Sequence, residues 1–200
     1  EAIKVEQDII GEMVGSQDQT AAAFGGLNSI SFNSSENIEV SPVIIASERR
    51  DELQGKLMLF FTGFARNASE IAEEQIKITN QKENELNSMI QIFNEGLRIL
   101  THGKESLDKF GELLNEQWML KKSLTDKISN REIDDIYAAG INAGALGGKL
   151  LGAGGGGFML FYVPLDKQEK VKSILRSKLF VPFRFEYTGS KIIYYSHSND

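Results

Sequence analysis

Lys149–Pro164, KLLGAGGGGFMLFYVP, is the stretch whose reading decides the fold. Five of the six residues from Gly152 to Gly157 are glycine, set directly ahead of an apolar run. Glycine loses more conformational freedom on folding than any other residue, so ordering such a run requires a local reason. Gly152, Gly154 and Gly157 satisfy G-x-G-x-x-G, but that fingerprint must follow a strand and open a helix, where pyrophosphate meets the helix N-terminus. Here the preceding residues read as helical and GFMLFYV reads as a buried strand, which argues against a dinucleotide loop. A Walker A loop fails too: with Gly148-Lys149 as its end, the first glycine position holds Ala143 and the last position holds Leu150. Two readings remain. One is a tight turn where backbone passes another element closely; the other is a loop whose bare N–H groups approach phosphate or substrate.

Outward from the glycines, strands and helices alternate irregularly. EAIKVEQDII reads as a helix with Ile3, Ile10 and Val5 to one side, and GEMVGSQDQTAAAFGGLNSISF as a turn, a short helix and a strand entered through Gly25-Gly26. IEVSPVII is a second strand, with Pro42 placing it at an edge or a bulge. KLMLFFTG has the continuous apolar character of a strand buried on both faces. Asn67 and Glu70 fit a capping box. Three amphipathic stripes follow, each expected to pack into core: Leu86, Met89, Ile90, Phe93, Leu97 and Leu100; Leu107, Phe110, Leu114 and Trp118; and, capped by Asn130, Ile133, Ile136, Tyr137 and Gly140. Asp166 and Glu169 suggest a second box, opening a helix that buries Val171, Ile174 and Leu175. VPFRFEY alternates as a half-buried strand does, and Thr188-Gly189-Ser190 turns it toward KIIYYS as a hairpin partner. Strands mixed with partly segregated helices predict an α+β fold.

Composition bounds the function. The chain has 200 residues, 41% hydrophobic and 25% charged, with a net charge of −6. That balance suits a soluble domain and predicts no nucleic-acid partner, because no basic stripe exists. No apolar run is long enough to cross a bilayer, so no membrane partner is expected and a cytoplasmic site is the default. Cysteine is absent and there are 2 histidines, which excludes thiolate chemistry and disfavours zinc. Asn33-Ser-Ser and Asn67-Ala-Ser match the glycosylation tripeptide, a pattern common by chance.

GGKLLGAGGGGFMLF, Gly147–Phe161, resembles the third conserved motif of the GHMP kinases, the family of galactokinase, homoserine kinase and mevalonate kinase. In that family the loop lies beside the active site and its glycines admit close approach of the phosphate-binding loop. VGSQDQTAAAFGG, Val14–Gly26, resembles the family segment that supplies a catalytic aspartate, matching Asp18, with Gln17 beside it. FFTGFARNASEI resembles the strand-turn-helix of the family's heptose-kinase branch, and QWMLKK a further stretch of that branch.

The resemblance implies an α+β, ferredoxin-like two-layer C-terminal domain over residues 51–200, joined to the tail of an N-terminal domain over residues 1–50. It implies an ATP- and Mg2+-dependent kinase of the anomeric hydroxyl of a heptose 7-phosphate, with another small-molecule kinase of the family, or a non-catalytic binding module, as the alternatives. Asp18 would be the catalytic base; its structural alternative is to cap the alanine-rich helix. Glu6 would ligate magnesium, or be an exposed helix glutamate. Gly152, Gly154, Gly155, Gly156, Gly157 and Lys149 would face the cofactor. Thr62, Gly63, Arg66, Gln17, Trp118, Lys121 and Lys122 would face a sugar phosphate; Arg66 suits it because a planar guanidinium binds such oxygens bidentately. The family's N-terminal motif and its glycine-serine phosphate loop have no counterpart in these residues. The partner expected for this chain is therefore a missing N-terminal segment of the same enzyme, with a homodimer left open.

Overall fold

The computed structural model describes residues 1–12, 14–33, 37–64 and 68–195. The central element is a four-stranded antiparallel sheet in the order β4-β5-β3-β6. Its strands are β3 (Leu57–Phe61), β4 (Gly147–Leu150), β5 (Phe158–Tyr162) and β6 (Leu179–Val181). Numbered in chain order within this sheet, they run 2-3-1-4, the strand order of the ferredoxin-like split β-α-β-β-α-β arrangement. Between β3 and β4 the chain makes four helices instead of one: α4 (Ala68–Ile78), α5 (Glu83–Thr101), α6 (Asp108–Lys122) and α7 (Arg131–Ala143). The crossover from β5 to β6 carries α8 (Gln168–Ile174). The expected α+β, two-layer class is the one observed.

β3 is central and none of its residues is exposed, as its unbroken apolar run predicts. Met58 and Phe60 from β3 share one core with Met159 and Phe161 from β5, and α4, α6, α7 and α8 close over it through Ile71, Trp118, Ile133, Ile136, Tyr137 and Val171. Close approach is made possible by two bare glycines. A methyl on Gly140 would lie 2.5 Å from the Phe161 ring, and one on Gly147 would lie 2.0 Å from the Gly111 carbonyl oxygen. The α7 stripe is buried as the spacing predicts, and Asn130 caps the helix by accepting from the Ile133 N–H at 3.0 Å.

Residues ahead of β3 form α1 (Ala2–Lys4) running into a π-helical turn (Val5–Ile10), α2 (Gln17–Phe24), an antiparallel hairpin of β1 (Asn28–Phe32) and β2 (Ile38–Pro42), and α3 (Ser47–Lys56). Pro42 ends β2 on an edge, where a missing N–H costs nothing. Arg49 on α3 ties this part to the helices. Its Nε donates to the Leu100 carbonyl at 3.1 Å and its Nη2 to the carbonyls of Ile99 and, at 2.9 Å, Glu105, satisfying groups that the end of α5 leaves without helical partners.

Five expectations are corrected. The residues before the glycine run are a strand, β4, so the run is a hairpin loop between β4 and β5 and not a helix-to-strand turn. Ile9 and Ile10 are exposed, so the opening helix has no buried apolar side. On α5, Ile90 and Phe93 are exposed and only the C-terminal end of the stripe is core, where Ile99 and Leu100 join Leu53, Leu107 and Tyr162. Asp166 pairs with Lys167 at 2.8 Å in a 3-10 turn and caps nothing, while Ile174 faces solvent. No hairpin follows β6 among the described residues. Residues 182–187 instead satisfy backbone groups with the Gln54 side chain, which donates to Phe183 O at 3.2 Å and accepts from Phe185 N at 2.7 Å, and with Gly26 N, which donates to Glu186 O at 2.9 Å. Asn67 of the first capping box lies outside the described residues, as does part of each glycosylation tripeptide.

Candidate active site

The glycine loop is held from several sides. Gly155 N donates to Ile128 O at 2.9 Å, and Gly157 N donates to Phe64 O at 2.9 Å. The Gln75 amide donates to Ala153 O at 2.8 Å. Thr62 clasps the base: its N–H and hydroxyl both donate to Gly157 O, at 2.8 and 2.9 Å, and Gly157 N lies 3.1 Å from its Oγ1. Two glycines are required by contact, since a methyl on Gly154 would meet the Ile128 backbone at 2.8 Å and one on Gly156 the Phe64 carbonyl at 2.8 Å. Gly152 differs. It has φ +76° with open space around its Cα, and its carbonyl accepts from the Lys121 ammonium. Both readings of the run therefore apply, to different residues. Gly154 and Gly156 are packed too closely for a side chain, while the N–H groups of Gly152, Ala153 and Gly154 donate to no described residue.

Lys121 joins this loop to two other candidates. Burial pushes its ammonium down to about 8, the nearby Lys149 charge pushes the same way, and the Asp18 carboxylate opposes them. Lys149, from β4, is also held below the usual lysine range by burial. It lines a cavity of about 260 Å³ between α5, α6 and the start of β1, walled by Phe93, Leu97, Phe110 and Leu113. Gln117 faces the same cavity, and its buried Oε1 has no hydrogen-bond donor.

Asp18 lies exposed in the first turn of α2. Ser16 is the N-cap residue and no side chain caps that helix, so the structure removes the capping alternative for Asp18. Gln17 is exposed beside it. Glu6 reaches the same helix, accepting a hydrogen bond from the Gln19 amide, whose own Oε1 is buried without a partner. Among the described residues no group of three or more acidic or histidine side chains could cage a metal. Magnesium does not need one; it takes one or two carboxylates together with phosphate oxygens and water, and Glu6 fits that demand.

Three expected substrate contacts are not available in this arrangement. Trp118 is fully buried against Tyr137, its ring 6.1 Å away, so it is core. Thr62 is fully buried with its hydroxyl spent on the loop. Lys122 is bound to Asp134 at 2.9 Å and lies over the Trp118 and Tyr137 rings, away from the Lys121 ammonium's partners. Gly63, at φ +99°, is an exposed turn residue whose methyl would lie 3.8 Å from Lys178 Nζ. Arg66 lies outside the described residues. Gln19 and Gln75 were missed in the sequence; glutamines carry no periodic or motif signal, and only the fold reveals their partners.

Comparison with known proteins agrees with this architecture. Residues 97–180 match the family described as GHMP kinases C terminal. The chain is 34% identical over 197 residues to D-glycero-alpha-D-manno-heptose 7-phosphate kinase of Campylobacter jejuni, covering 95% of this chain and 57% of that protein. A crystal structure of a sugar kinase from Campylobacter jejuni superposes with TM-score 0.62 at 29% identity, covering 94% of this chain and 54% of that one. A D-glycero-D-manno-heptose 1-phosphate kinase from Bacteroides thetaiotaomicron gives TM-score 0.62 at 27% identity, over 98% and 54%. The chain thus spans little more than half the length of these relatives.

Proposed function

The chain carries a GHMP-kinase C-terminal domain, and from that premise we propose that the protein is an ATP-dependent sugar kinase acting on a heptose phosphate. The observation that carries the proposal is convergence. Asp18, Lys121 and Lys149 come from α2, α6 and β4, yet the charges of Asp18 and Lys149 both act on the Lys121 ammonium, which is bonded to the Gly152 carbonyl of the glycine loop. Asp18 is exposed and caps no helix, the condition for a carboxylate that must reach a substrate.

In the transfer, a bond forms between the sugar's anomeric oxygen and the γ-phosphorus of ATP, the bond from that phosphorus to the bridging oxygen breaks, and ADP leaves. Asp18 orients the attacking hydroxyl and takes its proton, a role in which positioning and electrostatics supply most of the acceleration. Glu6, which accepts a hydrogen bond from Gln19, would hold magnesium, and the ion when bound would neutralise phosphate charge. The same reading divides the chain near residue 50, with residues 51–200 as the C-terminal domain. It places the protein in the cytoplasm, where ATP and sugar phosphates are.

The relatives' names differ in the position of the phosphate, so the test uses both isomers. ADP release by the full-length protein is measured with heptose 7-phosphate, heptose 1-phosphate, galactose and mevalonate, each with ATP and magnesium. Turnover confined to heptose 7-phosphate is the expected result. Turnover on heptose 1-phosphate, whose anomeric oxygen is already phosphorylated, refutes the anomeric acceptor; turnover with mevalonate or galactose alone refutes the substrate, and silence on all four refutes the activity. Asp18→Asn is expected to lower turnover by roughly two orders of magnitude or more. Because Asp18 is exposed and its carboxylate makes no hydrogen bond with a described residue, the melting temperature of that variant should fall only slightly, from the loss of a favourable charge in the first turn of α2 and near Lys121.

A further inference from the structure

Most lysines of this fold that leave the solvent do so against a carboxylate. Lys56 lies 2.9 Å from both Glu52 and Asp108, Lys122 lies 2.9 Å from Asp134, and Lys178 lies 2.8 Å from Glu132. Lys121 and Lys149 do not follow that pattern. The Lys149 ammonium makes no hydrogen bond or ion pair with any described residue, and the Lys121 ammonium donates only to the Gly152 carbonyl. Two like charges drawn out of water side by side cost free energy that neither repays to the other. A fold retains such a pair where an anion of matching charge binds between them.

The surroundings specify the anion. Gly152, Ala153 and Gly154 offer N–H groups committed to nothing else among the described residues, next to the carbonyl that Lys121 holds. Two ammonium groups and several amide donors match a phosphate monoester, whose dianionic charge and three terminal oxygens exceed what a carboxylate or a neutral hydroxyl can use. The apolar walls of the cavity beneath Lys149 keep the local dielectric low, which strengthens that attraction.

We infer that Lys121 and Lys149 form the seat for the phosphate that the acceptor sugar already carries, and that this pair sets the preference for phosphorylated over free sugars. The inference rests on the kinase reading above and adds to it the residues that read the acceptor's charge. Lys122, bound to Asp134, has no part in the seat.

The test compares heptose 7-phosphate with free heptose, using full-length protein, in two ways: as kcat/KM with saturating ATP and magnesium, and by calorimetric titration without ATP. Lys121→Met and Lys149→Met keep the side-chain stems and remove the charges; Lys170→Met, on an exposed lysine of α8, is the control for lost positive charge. Each of the first two should reduce the preference for the phosphorylated sugar, taken as the ratio of the two sugars' values, roughly 10- to 100-fold, the worth of one hydrogen bond to a charged group. The control should keep the preference. Equal losses for both sugars overturn the inference, as does a raised KM for ATP with the sugar preference intact, or no change in either variant. The titration separates this from the kinase reading. Preference that is present in the parent, lost in the variants and accompanied by no turnover upholds the seat and removes the kinase. Turnover on the phosphosugar with preference untouched by both substitutions does the reverse.

Discussion

Gly147→Ala probes the contact on which the site's geometry depends. Gly147 opens β4, two residues before Lys149, and lies against α6, which carries Lys121 at its other end. A methyl there would stand 2.0 Å from the Gly111 carbonyl oxygen and 2.7 Å from the Asn115 nitrogen, whereas ordinary contact starts at 3.4 Å. Both obstacles are backbone, so no side chain can swing aside, and the helix must retreat from the strand by about 1.4 Å at that point. Gly147 itself cannot withdraw, because β4 is held in register with Tyr162 of β5. Overpacking of a core costs roughly 1–3 kcal/mol, and a backbone-on-backbone clash belongs at the upper end. At roughly 2–4 °C per kcal/mol for a chain of this size, the melting temperature should fall by about 6–12 °C. Gly96→Ala on α5 is the paired control. Its nearest neighbours would be Phe110 ring atoms at 3.5 and 3.7 Å, which is ordinary contact, and replacing a mid-helix glycine removes roughly 0.5–1 kcal/mol of entropic cost. That variant should melt slightly higher than the parent. Differential scanning calorimetry of both decides the matter. A Gly147→Ala protein melting within about 1 °C of the parent, or a Gly96→Ala protein melting below it, would show that close packing of α6 on β4 does not set the stability of this layer.

Other outcomes follow from single contacts. Arg49→Met leaves the carbonyls of Ile99, Leu100 and Glu105 without their guanidinium donor and should cost about 2–4 kcal/mol in urea denaturation, since hydrogen bonds to charged groups are worth roughly 1.5–3 kcal/mol each and part is regained from water. Thr62→Val removes the hydroxyl half of the clasp but keeps the backbone bonds from residue 62 to Gly157 O and from Gly157 N to Phe64 O. Hydrogen exchange at the Gly157 amide should therefore accelerate only modestly while the uncommitted Gly152 amide exchanges fast in both proteins; complete loss of protection at Gly157 would show that the backbone bonds do not hold the loop. Lys121 gives a pH signature. Its folded value of about 8 lies below the ordinary lysine value of 10.5, because of burial and Lys149 and against the pull of Asp18, so between those pH values the unfolded chain binds the extra proton. Stability contributed at this position therefore rises as pH increases from about 8 to 10.5 and is flat below 8. Lys121→Met should stabilise the protein most at pH 7 and progressively less toward pH 10.5; a gain independent of pH would remove the charge explanation.

Local physics was legible in the residues. The apolar run of β3, the Asn130 cap and the buried stripe of α7 depend on neighbours within one turn or one strand, and they appear where their spacing put them. The glycine run was recognisable as a turn with unusual backbone needs, although the strand on its N-terminal side read as helix. Other features depended on what lies opposite. The α5 stripe has helical periodicity throughout, but periodicity cannot say which of its residues a neighbour covers, and Ile90 and Phe93 remain exposed while Ile99 and Leu100 are core. Lys121 and Lys122 are adjacent in sequence and equivalent in composition. One meets a loop carbonyl 31 residues away and the other an aspartate 12 residues away, because successive helix positions point about 100° apart. Thr62 and Trp118 looked suited to a substrate by type and were assigned to the core by burial. By itself the sequence determined the class of fold, the kinship and the candidate residues, since those reside in pattern and spacing. Only the tertiary structure decided which candidates meet, because contacts across many tens of residues are set by strand order and helix packing.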